Sequence, residues 1–416
     1  MKSMNNKDTA PQADEASAAD ADTLPPIQQR IQVTFEYPVR FSRDIFSPEN
    51  ALLREVMAPN DQAIAFNRKA ICFVDANVAE AHPDLLDKVS DYFAAQLDAI
   101  PLACPPIVLP GGEIVKQDPA HVDAVINRIA EYRLCRKCYV VAIGGGALID
   151  MVGYACAIAH RGIPLVRIPT TVLAQNDAAL SVKNAINAYN AKNFLGTFTP
   201  PHSVICDADF LATLDTRDWI GGVSEAIKVA LLQDAEFFRY MEENVLALRQ
   251  RDLRAMQRVI YRCAQLHLDH IGKGGDPLER GSSRPLDFGH WAAHKLESLT
   301  NFKLHHGEAV AIGLALDSTY SWQMGLIDAT QWERIINLLT ELGLPVFDTA
   351  MLSHLDAPDD PASVLRGLHE FREHLGGPLT IMLLRDIGHG HEVHEMDLAV
   401  VVRSIRILEG FFKKKA

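Results

Sequence analysis

One stretch of the chain, LDFGHWAAHKLESLTNFKLHHGE from Leu286 to Glu308, holds four histidines and three carboxylates. Imidazoles bind divalent transition metals and also move protons near neutral pH. His290 and His294 stand four residues apart, so on a helix they share one face. His306 follows after a short turn and opens the next helical segment. Upstream, GVSEAIK puts Glu225 and Lys228 on a common face by three-residue spacing. One carboxylate with two or three imidazoles suits an open zinc site with room for substrate oxygens. The alternative is a set of exposed histidines that cap and solvate their helices. Spacing alone leaves both open, because a helical H-x3-H without a glutamate between is not decisive.

Such groups need elements to hold them. From about Ile27, short β-branched runs alternate with helical stretches: AICFVDANV, PPIVLPGGE, CYVVAIGGGALID, PLVRIPTTVLAQND and HSVICDADF. Each is an apolar run of strand length ending in Gly, Asp, Asn or Thr. Continuous apolar strands between helices imply a parallel sheet covered on both faces. Ligands of such sheets bind at the carboxyl ends of the strands, where these polar residues fall. AIGGGALID sets three glycines after a strand and opens a helix, which suits a pyrophosphate or simply a tight turn. In FVDANV, Asp75 and Asn77 sit at a strand end where a carboxylate can take ribose hydroxyls. PGGEIVK and PTT add polar groups at neighbouring strand ends.

After about Asp209 the periodicity becomes helical, in GGVSEAIKVALLQ, AMQRVIYRCAQLHLDHI, FGHWAAHKLESL and GEAVAIGLALDSTYSWQMG. No internal repeat is visible. The expected organisation is an acidic disordered tail over residues 1–28, an α/β nucleotide-binding domain over 29–208 and a helical domain over 209–416. The cleft between the two domains is the default site.

The totals narrow the function. A formal charge of −13 argues against a surface for nucleic acid. No apolar run is long enough to cross a bilayer, and the first residues lack a secretory core, so no membrane role is expected. Seven cysteines in 416 residues suggest a reduced cytoplasmic chain rather than a disulfide framework. Cys135 and Cys138 form one CxxC, CRKC; without a second pair or a redox-domain context, it reads as two incidental thiols.

Taken together, GGGALID, RGIPLVRIPTTVLAQNDAALSVKNAIN, AKNFLGTF, SEAIK, DFGHWAAHKLE and HGEAVAIG resemble the 3-dehydroquinate synthase family of sugar-phosphate cyclases. The likeness runs in order from about Ile71 to Gly325, and six ordered motifs are far more specific than any one. It implies a Rossmann-like parallel-sheet domain, a helical domain and a homodimer. It also implies bound NAD and a divalent metal, Zn²⁺ or Co²⁺. By position, the implied NAD contacts are Asp75, Asn77, Glu113, Lys116, Gly145, Gly146, Asp150, Thr170, Thr171, Lys192 and Thr213. The implied metal ligands are Glu225, His290 and His306, with His294 nearby as an acid–base or hydrogen-bonding group and His305 a bystander. The implied substrate side is Asp177, Lys183, Asn193 and Lys228, with Arg161 reaching phosphate within its own subunit or across the homodimer. The implied reaction is a net lyase reaction on a phosphorylated heptulose. NAD is reduced and regenerated, phosphate is eliminated, and an intramolecular aldol step closes a six-membered carbocycle.

Several positions depart from the family pattern. Asp287 stands where an asparagine is usual. Ser283 replaces an arginine, flanked by Arg280 and Arg284. An expected lysine falls near Asp269 and His270, with Lys273 the nearest cation, and Arg372 and His374 replace a lysine pair. An aspartate there repels a substrate carboxylate and favours hydroxyls. These changes resemble the cyclases that act on sedoheptulose 7-phosphate, such as 2-epi-5-epi-valiolone synthase, whereas His294 is of the dehydroquinate-synthase type. The competing expectations are a net oxidoreductase of the glycerol or iron-dependent alcohol dehydrogenase group, and a non-catalytic NAD-binding scaffold.

Overall fold

The alternation of side chains along the strands decides the layering of the first half. The computed structural model describes residues 24, 26–57, 68–96, 100–189, 191–274, 278 and 285–415. Most of the tail expected over 1–28 lies outside the described residues, as do Arg280, Ser283, Arg284 and the side chain of His374. The chain divides into residues 1–36 and residues 37–416. In the first unit, residues 26–36 form neither helix nor strand and are exposed.

In the second unit the strands are β1 (Val39–Ser42), β2 (Ala70–Asp75), β3 (Ile107–Leu109), β4 (Tyr139–Gly144), β5 (Leu165–Pro169), β6 (Lys183–Ala188), β7 (Ala191–Phe198) and β8 (Ser203–Asp207). Six of them form a parallel sheet in the order β1-β8-β5-β4-β2-β3, and β6 pairs with β7 as a separate antiparallel ribbon. The helices that matter here are α1 (Leu85–Gln96), α2 (Pro119–Glu131) and α3 (Gly146–Ile158). Ile71 and Phe73 of β2 and Val140 and Ala142 of β4 join one apolar cluster with Val125 of α2 and Val152 of α3. The intervening Ala70, Cys72, Val74, Val141 and Ile143 join the opposite cluster with Val89, Tyr92 and Phe93 of α1. Strands buried on both faces are the expected signature of a parallel sheet under two helical layers.

Beyond β8 the core is helical, built around α4 (Val223–Gln233), α5 (Leu253–Lys273), α6 (His290–Leu299) and α7 (His306–Gln323). Every residue of α7 from Ala309 to Ser321 is buried, which makes it the central helix of this half. Its approach to α6 is unusually close. Gly289, at φ +76°, precedes α6, and a Cβ added to Gly313 of α7 would lie 2.0 Å from the Gly289 carbonyl oxygen. Two glycines therefore let the backbones touch. The buried Asp317 of α7 clamps the junction, accepting the Gly289 N–H at 3.0 Å and the Trp291 indole N–H at 2.9 Å.

The helical reading of the second half lacked one feature, an antiparallel hairpin of β9 (Ile381–Asp386) and β10 (His389–Val393). Its source is the apolar run Ile381–Leu384, all buried, followed by a turn at Gly388 with φ +88°. No helix among the described residues is long and apolar enough to cross a membrane.

Candidate active site

Glu225 lies in the first turn of α4 and is 1% exposed. Lys228 Nζ approaches its Oε2 at 2.5 Å, yet neither carboxylate oxygen completes a hydrogen bond. His290 is the first residue of α6 and His306 the first of α7. Nε2 of each lies 3.4 Å from Glu225 Oε1. Their Nδ1 atoms are already engaged: His290 with the Phe288 carbonyl at 3.1 Å, His306 with Glu297 Oε2 at 3.2 Å. Both partners are acceptors, so each Nδ1 donates, and a neutral ring then turns a lone pair on Nε2 toward Glu225. In the deprotonated rings that a metal requires, both Nε2 lone pairs would meet the Glu225 carboxylate. A divalent cation resolves that arrangement, and the donor atoms of Glu225, His290 and His306 all lie within 4.8 Å of one another.

The surrounding charges follow the same logic. Burial alone would raise the Glu225 carboxyl, but Lys228 and His290 outweigh it and hold it well below the usual range. Burial opposes a proton on His306, and Glu297 overrides it, pushing that imidazole up to about 9. Glu297 is itself paired with Lys192 at 2.7 Å. His294, one turn along α6, has its ring centroid 5.4 Å from that of His290 and 6.1 Å from that of His306. The residue is exposed. Loss of water around the ring, then the His290 charge, nevertheless keeps it well below its ordinary value. His294 joins Glu297 and His306 in a second donor group that shares His306 with the first.

Of these groups, Lys192, Glu297 and His306 line a cleft of about 760 Å³. Asp75, Asn77, Glu113, Gly145, Gly146, Thr170, Thr171, Lys192 and Thr213 line it, together with Glu297, His305 and His306. Gly145 caps the N-terminus of α3 at the cleft wall, and its backbone N–H acts on the Asp75 carboxylate. A Cβ on Gly111 would meet Asp75 Oδ1 at 2.0 Å, so that loop presses against the end of β2. The expected contacts Lys116 and Asp150 do not line the cleft. They form a 2.7 Å ion pair, with Lys116 also bonded to the Asn193 side chain. Asn187 links that group to the wall, taking the Asn193 N–H and donating to Glu113 at 2.9 Å.

On the substrate side, Asp177 lies in a π-helical turn, Ala174–Ala178, after β5. Lys183 opens β6 and is exposed. The charges of Asp177 and Asp287 both act on Lys228. Arg161 is exposed at the end of α3 with φ +64° and lines no part of the cleft.

Three residues of the site escaped the sequence reading. His267 of α5 sets Nδ1 3.2 Å from Asp177 Oδ1. Burial lowers its imidazole, and Asp177, Lys228 and Lys183 all act on it. Lys273, by contrast, pairs with Asp269 at 2.7 Å on the surface. His267 continues the helical spacing of the buried Ile260, Cys263 and Ala264, a signal available in sequence. Glu297 was equally accessible, seven residues after His290 on the same face. Asp317 left no such signal.

Comparison with known proteins now decides the family. Models described as 3-dehydroquinate synthase N-terminal and C-terminal match residues 106–221 and 222–358. The 3-dehydroquinate synthase of Shewanella sp. (strain MR-4) is 31% identical over 366 residues, covering 86% of this chain and 94% of its own. This chain belongs to the 3-dehydroquinate synthase family. It is a 3-dehydroquinate synthase-like sugar-phosphate cyclase. The 3-dehydroquinate synthase of Xylella fastidiosa (strain M12) is 35% identical over 326 residues, 76% of this chain and 85% of that one. Among solved structures, a 2-epi-5-epi-valiolone synthase from Streptomyces hygroscopicus subsp. jinggangensis with NAD⁺ and Zn²⁺ bound aligns with a TM-score of 0.79 at 27% identity. That alignment covers 92% of this chain and 99% of the other. The parallel-sheet and helical architecture expected from the sequence is therefore the architecture of the family.

Proposed function

We propose that this cyclase is a carbon–oxygen lyase that uses NAD and a divalent metal to convert a heptulose 7-phosphate into a six-membered carbocycle with release of phosphate. One observation carries the reading: Glu225, His290 and His306, from three helices, converge on one point, and His306 also lines the cleft that the glycine turn after β4 borders. When bound, NAD supplies a reversible oxidation and the cation, Zn²⁺ or Co²⁺, polarises substrate oxygens.

The chain's own residues do the rest. Asp75 takes ribose hydroxyls at the end of β2, and the N–H groups of Gly145 and Gly146 meet the pyrophosphate. Lys183 and Lys228 bring positive charge to phosphate and to the enolate that develops beside it. His294, held neutral, accepts and returns a proton at a ring nitrogen. Asp177 and Asn193 orient hydroxyls. In this reading residues 29–208 are the NAD-binding domain and 209–416 the metal- and substrate-binding domain. Two copies associate in the cytoplasm, with Arg161 serving the phosphate of the neighbouring site.

The test offers the purified protein NAD⁺ and Zn²⁺ or Co²⁺ with either 3-deoxy-arabino-heptulosonate 7-phosphate or sedoheptulose 7-phosphate. Phosphate release from at least one, without net accumulation of NADH, is the expected result. Accumulating NADH points instead to an oxidoreductase, and no turnover of either to a scaffold. A second reading concerns the substrate alone. The Asp287 charge acts on Lys228, which favours a hydroxyl over a carboxylate there and hence sedoheptulose 7-phosphate.

A further inference from the structure

The CRKC turn lies between α2 and β4. The Cys138 N–H closes onto the Cys135 carbonyl at 2.9 Å, and the Cys135 N–H donates to Cys138 Sγ at 3.2 Å. The two sulfurs stand 3.5 Å apart, in contact across the turn. Cys135 is exposed and Cys138 fully buried. Burial would raise the Cys135 thiol, but the Lys137 backbone N–H and then Cys138 outweigh it and hold it below its ordinary value. Burial raises Cys138. Arg133, Arg136 and Lys137 are exposed around the pair, a local cationic patch on a chain of net charge −13. Cys72, Cys156, Cys206 and Cys263 are buried with their thiols pushed up, so none of them shares this environment.

We propose that Cys135 and Cys138 form a redox-active dithiol that exchanges with small anionic disulfides of the glutathione type. The Cys135 thiolate attacks one sulfur of the disulfide, breaking its S–S bond and releasing one thiolate. The Cys138 thiol gives up its proton and attacks Cys135 Sγ, forming the protein disulfide and displacing the second thiolate. The protein loses two electrons and two protons, and the incoming disulfide becomes two thiols. An exposed nucleophile of lowered pKa beside a buried resolving thiol is the arrangement this chemistry needs. The cationic rim favours a polycarboxylate disulfide over a neutral one.

The experiment equilibrates the full-length protein with oxidised and reduced glutathione, quenches by alkylation, and counts thiols by mass spectrometry. Oxidising buffer should leave five of the seven cysteines alkylated, with one peptide cross-linked between Cys135 and Cys138. Cys138→Ser should instead accumulate a stable glutathione adduct on Cys135, and Cys135→Ser should form neither adduct nor cross-link. Neutral 2-hydroxyethyl disulfide at the same concentration should react several-fold more slowly. Seven alkylated thiols in excess oxidised glutathione would overturn the proposal, as would a cross-link through Cys104 or an adduct on Cys138 in Cys135→Ser.

Discussion

His306 donates from Nδ1 to Glu297 Oε2 at 3.2 Å while its Nε2 faces Glu225 at 3.4 Å. The carboxylate behind the ring fixes which nitrogen is left for a cation and makes that nitrogen more basic. Glu297→Gln keeps an acceptor but removes the charge. Metal affinity, read by chelator competition, should fall about 10- to 100-fold. An unchanged affinity would mean that Glu297 merely anchors Lys192.

His290→Ala removes a donor outright. The purified variant should retain no stoichiometric Zn²⁺ and should release no phosphate, with an unchanged circular dichroism spectrum. Full activity in that variant would discard the ligand assignment.

His267 faces Asp177 at 3.2 Å on the side of the site that the sequence left blank. Hydrogen bonds to charged groups contribute roughly 1.5–3 kcal/mol, so His267→Ala should lower kcat/KM by about 10- to 100-fold. Metal content should stay at the wild-type level, which separates this substrate-side role from the metal centre. Equal kinetics for variant and wild type would leave His267 a structural partner of Asp177.

Asp317 is fully buried, and burial pushes its carboxyl up to about 7 against two opposing hydrogen bonds. Between the unfolded value of 3.8 and about 7, the folded protein binds the extra proton. Stability therefore falls as pH rises through that window, by at most roughly 4 kcal/mol from this group. Asp317→Asn does not titrate. Its amide points one N–H₂ at a donor and should lower the melting temperature most at pH 4, the deficit narrowing toward pH 7. Parallel melting curves for the two proteins across that range would refute the assignment.

Gly313 touches the Gly289 carbonyl across the α6–α7 contact, and an added Cβ would come within 2.0 Å of it. Gly313→Ala must push α6 away from α7, costing about 1–3 kcal/mol as overpacking. Since His290 begins α6, the same shift should weaken metal retention. Thermal unfolding followed with and without added Zn²⁺ checks both parts.

Much of the site was legible in one dimension. Helical spacing put His290 with His294 and Glu225 with Lys228, and strand ends put Asp75, Gly145 and Thr170 on one edge of the sheet. These are consequences of the 3.6- and two-residue periods, which any segment carries by itself. The likeness to a known family then named the ligands, and the CRKC pair, read as incidental, revealed its geometry only in the folded chain. Other features had no local signal. Glu297 as the brace of His306, His267 opposite Asp177, Asp317 beneath Gly289 and Trp291, and the β9–β10 hairpin all depend on meetings between distant segments. Sequence periodicity determines which side chains share a face. Which faces meet, and hence which Nε2 lone pairs confront Glu225, is decided by close packing of α4, α6 and α7 around two glycines, and only the tertiary structure contains that.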